Sequence, residues 1–193
     1  MKVDVISMSW TIKGSADRPN PEFQDLEAAI KRARKENILM FGSAADQGNH
    51  IASFERILPG DAEGVFHIGA ADSSGNLDRH VERKVQYILP GGIGDKYQGS
   101  SVATAVGAGL TALILHCAEI TGFYEKHKID KSKRKAIREV AMRKIWENML
   151  EGKDRYVYPV GRDRFQVDKY SSTSVWNNET YQGFSDSVEP MLM

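Results

Sequence analysis

Apolar and polar positions switch between strand-like and helix-like spacing along the first half of the chain. Val3-Asp4-Val5-Ile6-Ser7-Met8 is a short β-prone run. Over residues 22–36, Phe23, Leu26, Ala29, Ile30 and Ala33 recur at intervals of three and four, the stripe a surface helix buries. Glu22 and Asp25 fall in its first turn and Lys31, Arg32, Arg34 and Lys35 in its last, which complements the helix dipole. Asn37 to Gly42 and Val65 to Ala70 are near-continuous apolar runs of strand length, and Gln86 to Leu89 is a fourth candidate. Such runs suit strands covered on both faces by helices. Turn-rich sequence at Pro59-Gly60, Ser73-Ser74-Gly75-Asn76 and Pro90-Gly91-Gly92 separates them. Strand, helix, strand in this order predicts an α/β core with a largely parallel sheet.

From Tyr97 to Ala118 no residue carries a formal charge, a stretch long enough to be weighed as a membrane span. Gln98, Ser100, Ser101, Thr104, Thr111 and His116 interrupt it, and much of the remainder is Gly and Ala. A lipid-facing span would be richer in Leu, Ile and Phe, so the segment reads as a buried central helix. Lys126 to Lys144 is strongly basic, with Asp130 and Glu139 as its acids. Ile137, Val140, Ala141, Ile145 and Met149 form an apolar stripe there, and the charges read as its solvated face. Ser171 to Met193 reads as a polar tail. The expected organisation is an α/β unit over residues 1–120, a basic amphipathic helical extension over 121–152 and an irregular tail over 153–193.

The chain has 193 residues, with 26 basic and 26 acidic side chains and a net charge of zero. Zero net charge argues against a partner held by bulk electrostatics, such as duplex DNA. Apolar residues at 41% and charged residues at 27% exclude a disordered polyampholyte. One cysteine, Cys117, excludes an intramolecular disulfide framework. Met1-Lys2-Val3-Asp4 leads into no long apolar run, so a cytoplasmic protein without a secretory signal is expected.

The chemically suggestive segment is Gly99-Ser100-Ser101-Val102-Ala103-Thr104-Ala105-Val106-Gly107-Ala108-Gly109. Glycine, hydroxyls and then small residues describe a loop entering a tightly packed helix. A serine at that helix N-terminus can be a simple cap. It can also be a nucleophile, its own N–H helping to hold an oxyanion.

Several segments together resemble the C-terminal part of the catalytic domain of subtilisin-like serine peptidases, the subtilases. Gly99-Ser100-Ser101-Val102-Ala103-Thr104-Ala105 resembles their nucleophile block, Gly-Thr-Ser-Met-Ala-Ser/Thr-Pro, and Gly109 to Leu115 continues as their helix does. Val5-Ile6-Ser7-Met8-Ser9 resembles the substrate-lining Val-Ile-Asn-Met-Ser strand. Leu39 to Gly48 resembles the strand ending in Ala-Gly-Asn-x-Gly, and Val65 to Asp72 resembles Val-Ile-x-Val-Gly-Ala-x-Asp. The resemblance implies an incomplete subtilisin-like fold and makes Ser101 the nucleophile. It places Ser9, Trp10 and Thr11 on one wall of the substrate cleft and Ser43, Ala44 and Ala45 on the opposite wall. Trp10 stands where a smaller residue is usual, Ala105 replaces the common proline, and Val106 stands where histidine is frequent.

Two departures bear on chemistry. The family's oxyanion-hole asparagine corresponds to Asp46, and a carboxylate cannot donate to an oxyanion. Asp46 would serve only if burial keeps it protonated; the competing reading is a loop residue capping the turn at Gly48. Some subtilases carry Asp at this position. The second departure is larger: the Asp-Thr/Ser-Gly and His-Gly-Thr-His blocks that precede these segments in the family do not occur in residues 1–98. His50, His67 and His80 fall in segments that are non-catalytic in the family, and His116 lies roughly 22 Å along the helix from Ser101 at 1.5 Å per residue.

The resemblance thus implies a serine-type endopeptidase acting through an acyl-enzyme on a peptide or protein substrate, without cofactor or metal, nucleic acid or membrane. The alternative is a non-catalytic truncated or decayed subtilase acting as a binding or regulatory module. A nucleic-acid-binding protein using residues 126–144 is a weaker rival. The missing strands would leave an apolar sheet edge open, so self-association is expected.

Overall fold

The computed structural model describes residues 3–15, 20–47, 55–82, 84–93, 97–136, 138–151 and 156–157. A six-stranded sheet forms the centre, built from β1 (Val5–Met8), β3 (Leu39–Ser43), β5 (Val65–Ala71), β6 (Tyr87–Pro90), β10 (Tyr156–Val157) and β9 (Leu150–Glu151), in that spatial order. Neighbours from β1 to β10 run parallel, and only β9 is antiparallel to its partner. Two short antiparallel pairs lie outside it: β2 (Ile12–Ser15) with β4 (Glu55–Leu58), and β7 (Gly92–Ile93) with β8 (Tyr97–Gln98).

Helices cover both faces. Helix α1 (Pro21–Lys35) starts at Asn20, whose side-chain oxygen accepts from the N–H groups of Glu22 and Phe23. Phe23 and Ile30 seat it against Met8, Met40, Leu58 and Val65. On the opposite face, α2 (Ser100–Ile120) lies over β5, β1, β3 and β6. It is long and apolar enough to cross a membrane, yet Ala103, Thr104, Gly107, Ala108, Thr111, Ile114, Cys117 and Ala118 are buried. Packing on the sheet accounts for its apolar side.

The chain continues through α3 (Phe123–Lys126), α4 (Lys131–Ala136) and α5 (Arg138–Asn148). The boundary expected at residue 120 divides segments that share one hydrophobic core. Met142, Ile145 and Trp146 of α5 are buried with Leu39, Phe41, Phe66, Ile88 and Ala103. The Trp146 ring lies 5.4 Å from Phe41, 5.5 Å from Phe66 and 5.0 Å from Tyr87, centroid to centroid. It fits because Gly107 has no side chain: a Cβ there would stand 2.8 Å from Trp146 Cη2.

Two sequence expectations are corrected here. Val140, assigned to the buried stripe of the basic helix, is 74% exposed. Ile145 of that stripe is buried, together with Met142 and Trp146, one position further round the helix, and Ile137 lies outside the described residues. The tail expected to be irregular from residue 153 contains β10, where Val157 is fully buried and Tyr156 pairs with Ile88. The Ser171–Met193 tail lies outside the described residues.

The basic segment is tied into the fold through acids. Arg134 bonds Glu119 and Glu125, Arg138 bonds Asp4, and Arg143 bonds Glu139 while lying 4.3 Å over the Phe66 ring. The Arg134 and Arg138 side chains are each only 12% exposed, so these charges pack into the fold rather than lying on the solvated face the sequence predicts.

Candidate active site

Because β1, β3, β5 and β6 run parallel, their carboxyl ends gather at one edge of the sheet, where crevices form in open α/β proteins. Ser9 follows the end of β1, Ala44 to Asp46 follow β3, and Gly91 follows β6. Gly99 and the N-terminus of α2 close the group, with the Gly99 N–H donating to the Gly91 carbonyl at 2.7 Å.

Gly99 is the N-cap of α2 and has no side chain to satisfy the first-turn amides. Asp46 does so from the neighbouring loop. Its two carboxylate oxygens accept from the Ser100 N–H at 3.0 and 3.2 Å, and Oδ1 also accepts from the Ser100 hydroxyl at 2.5 Å. The Ser100 hydroxyl in turn accepts the Ala70 N–H at 3.2 Å. Gly99 has φ +112°, and a Cβ there would stand 2.5 Å from Asp46 Oδ2. Glycine therefore meets a backbone requirement and clears the space for the carboxylate.

Every hydrogen bond described for Asp46 is one it accepts, and all of them come from Ser100. A carboxylate at a helix N-terminus complements the dipole, and in this arrangement it presents no donor to an oxyanion. The cap it supplies is that of α2; Gly48, whose turn it was expected to cap, lies outside the described residues.

The two serines of the block divide by exposure. Ser100 is fully buried. Ser101 is exposed, its hydroxyl donating to the Ser9 carbonyl at 3.1 Å while the Ser9 hydroxyl donates to the Ser101 carbonyl at 3.0 Å. Among the described residues, no acceptor faces the Ser101 N–H.

Of the wall residues, Ser9 and Trp10 are exposed and Thr11 is half-buried, whereas Ser43, Ala44 and Ala45 are buried. The structure brings Ser9 onto Ser101, and it brings Asp46, next to Ala45, onto Ser100. Neither Trp10 nor Thr11 has a described polar contact with the serines.

No described histidine reaches Ser101. His67 is buried in β5, with Nε2 3.0 Å from Glu82 Oε1 and Nδ1 4.0 Å from Asp61. His80 is exposed and bonds Asp78. His116 lies on α2, about four turns beyond Ser101, and His127 lies beyond α2 and α3, its ring 4.4 Å from that of Phe123. His50 lies outside the described residues. Cys117 is buried, and burial pushes its thiol pKa up.

Glu82 was not singled out by the sequence. It is 5% exposed, and its Oε1 accepts from both His67 and the Ala45 N–H. Burial drives its pKa upward, but the His67 hydrogen bond and charge, with the Ala45 N–H, outweigh this and hold it below the ordinary 4.5. A signal was available: a histidine inside the apolar run Val65 to Ala70 requires a buried polar partner.

A central parallel sheet between helices, with an exposed serine in the first turn of a small-residue helix, defines an α/β fold. The profile of the subtilase family matches residues 1–165, and the chain belongs to that family. The match runs through α5 and β10. No curated protein matches the chain. Among solved structures, it is similar to Prenylagaramide maturation protease PagA, at 16% identity over 81% of this chain and 59% of that one, TM-score 0.57. It is similar to a lanthipeptide protease, at 19% identity over 80% and 57%, TM-score 0.57. It is also similar to the Epidermin Leader Peptide Processing Serine Protease of Staphylococcus aureus, at 17% identity over 81% and 47%, TM-score 0.57. The likeness is one of fold, and the chain spans only 47–59% of the length of these proteins.

Proposed function

We propose that the chain is the nucleophile-bearing part of a serine endopeptidase, with the triad Asp and His lying outside these 193 residues. The observation that carries this reading is Ser101: an exposed hydroxyl in the first turn of α2, at the carboxyl edge of a parallel sheet, beside an N–H without a described acceptor. In the completed site, the Ser101 hydroxyl leaves the Ser9 carbonyl and gives its proton to the incoming histidine as Oγ attacks the peptide carbonyl. The Ser101 N–H and the dipole of α2 hold the oxyanion, the histidine passes the proton to the leaving amine, and water releases the acyl group. Ser9 to Thr11 and Ser43 to Ala45 flank the peptide.

The experiment is to join the chain to an Asp- and His-bearing subtilase half and follow peptide hydrolysis. Hydrolysis abolished by Ser101→Ala is expected; hydrolysis that survives the substitution refutes the assignment. In that completed chain, Asp46→Asn is expected to give equal or higher activity. Asparagine keeps an acceptor for the Ser100 N–H and adds a donor for the oxyanion, a contact worth about 2.7–4 kcal/mol of barrier elsewhere. A loss of tenfold or more would show that the second carboxylate oxygen on Ser100 matters more than a donor.

A non-catalytic truncated subtilase is the second reading, favoured by the absence of a base near Ser101 among the described residues. In either case, among the described residues, β1 is an outer strand of the parallel sheet. Self-association through that edge is expected, with the sedimentation coefficient of the isolated chain rising with concentration. A monodisperse monomer at all concentrations contradicts it.

A further inference from the structure

The β3–β5 ladder ends one residue before the loop that matters. Ser43 pairs with Ile68, and the Ala44 N–H still donates to the Ile68 carbonyl at 2.8 Å. Ala45 has left the sheet, and both of its backbone polar groups are taken by one residue. Its N–H donates to Glu82 Oε1 at 3.1 Å, and its carbonyl accepts from the Glu82 N–H at 3.1 Å. The same Oε1 accepts from His67 Nε2 at 3.0 Å. A carboxylate only accepts, so the Nε2 of His67 carries a proton.

We propose that Glu82, oriented by His67, is a positioning residue that fixes the Ser43–Ala45 wall and, through Asp46, its register to Ser101. The proposal rests on the reading of that wall as a peptide-binding surface. The two contacts lie on the peptide units either side of the Ala45 Cα, so Glu82 holds both the unit that enters Ala45 and the unit that leads into Asp46. Asp46 follows directly and caps α2 at Ser100, so the hold on Ala45 is passed to the residue beside the nucleophile. A buried carboxylate is a costly way to fill space, because burial disfavours its charge and an apolar residue of similar volume carries no such cost. The direction of the Glu82 pKa agrees with a charged acceptor held by two donors.

The test uses Glu82→Leu and Glu82→Gln. In the 193-residue chain, Glu82→Leu should speed amide exchange at Ala45 by about tenfold or more, the scale of a lost buried hydrogen bond, while Ile68 and Ile88 keep their rates. In the completed chain described above, it should raise KM for peptide by about tenfold with little change in kcat. Glu82→Gln should restore both values, since its carbonyl still accepts the Ala45 N–H. The same carbonyl oxygen still accepts from His67 Nε2, so the ring 15N signals should keep the Nε2-protonated form. Unchanged Ala45 exchange in Glu82→Leu, or faster exchange with unchanged KM, overturns the proposal. If Glu82→Leu does not fold, Glu82→Asp decides: the shorter side chain draws the carboxylate away from Ala45, and unchanged Ala45 exchange overturns the proposal. A completed wild-type chain that cleaves no peptide refutes the peptidase reading instead, and Ala45 exchange alone then judges the hold of Glu82.

Discussion

Replacing Trp146 with alanine should cost about 3–5 kcal/mol of stability, the range for emptying a fully buried Trp or Phe site. The indole has no exposed surface and lies against three aromatic rings from three strands. Gly107 cannot fill the void from the helix opposite. A single domain commonly has about 5–15 kcal/mol in total, so the variant should be marginally folded. Urea unfolding followed by far-ultraviolet circular dichroism checks this, with Val140→Ala as the control. Val140 is 74% exposed, and its loss should change stability by no more than about 0.5 kcal/mol. A cost below about 1 kcal/mol for Trp146→Ala would mean that α5 is a detachable extension rather than part of the core.

The helix carrying Trp146 shows where sequence pattern stops being sufficient. Ile145 and Ala141 belong to two possible apolar rows, one running through Ile137 and Val140, the other through Met142 and Trp146. Spacing does not choose between rows about 100° apart on the helix. The choice is made by a gap in α2 at Gly107, which is visible only after the two helices are docked. By contrast, α1 and strands β1, β3, β5 and β6 were legible, because each carries its own burial pattern and its own turn signals. The β2–β4 pair was not: Ile12 to Ser15 meets Glu55 to Leu58 across a long separation, and its stability comes from that meeting rather than from either segment.

The site divides in the same way. Ser101 and the two wall segments are legible because glycine, hydroxyl and small-residue order constrains where a strand ends and a helix begins. The hydrogen bonds of Asp46 to Ser100 were not legible, because they depend on which groups its side chain meets. Gly99 leaves α2 uncapped and leaves room, and the carboxylate takes the vacant capping role. Glu82 was passed over because burial, rather than residue type, distinguishes it from the chain's other acids.

The central claim is that Ser101 is a peptidase nucleophile waiting for its base. Serine is a weak nucleophile until a base within about 2.6–3.2 Å takes its proton, and the described partner of Ser101 is a carbonyl oxygen, which holds the proton in place. An oxyanion-favouring helix N-terminus alone leaves only a residual rate, roughly 10³–10⁴-fold over water against the far larger effect of an intact triad. The direct measurement is mass mapping after treatment with a fluorophosphonate probe, on the 193-residue chain and on the chain completed with an Asp- and His-bearing half. The account predicts background labelling of the chain alone and stoichiometric label on Ser101, absent in Ser101→Ala, once the second half is present. Stoichiometric label on Ser101 in the chain alone, or none in a folded, completed chain, would contradict it.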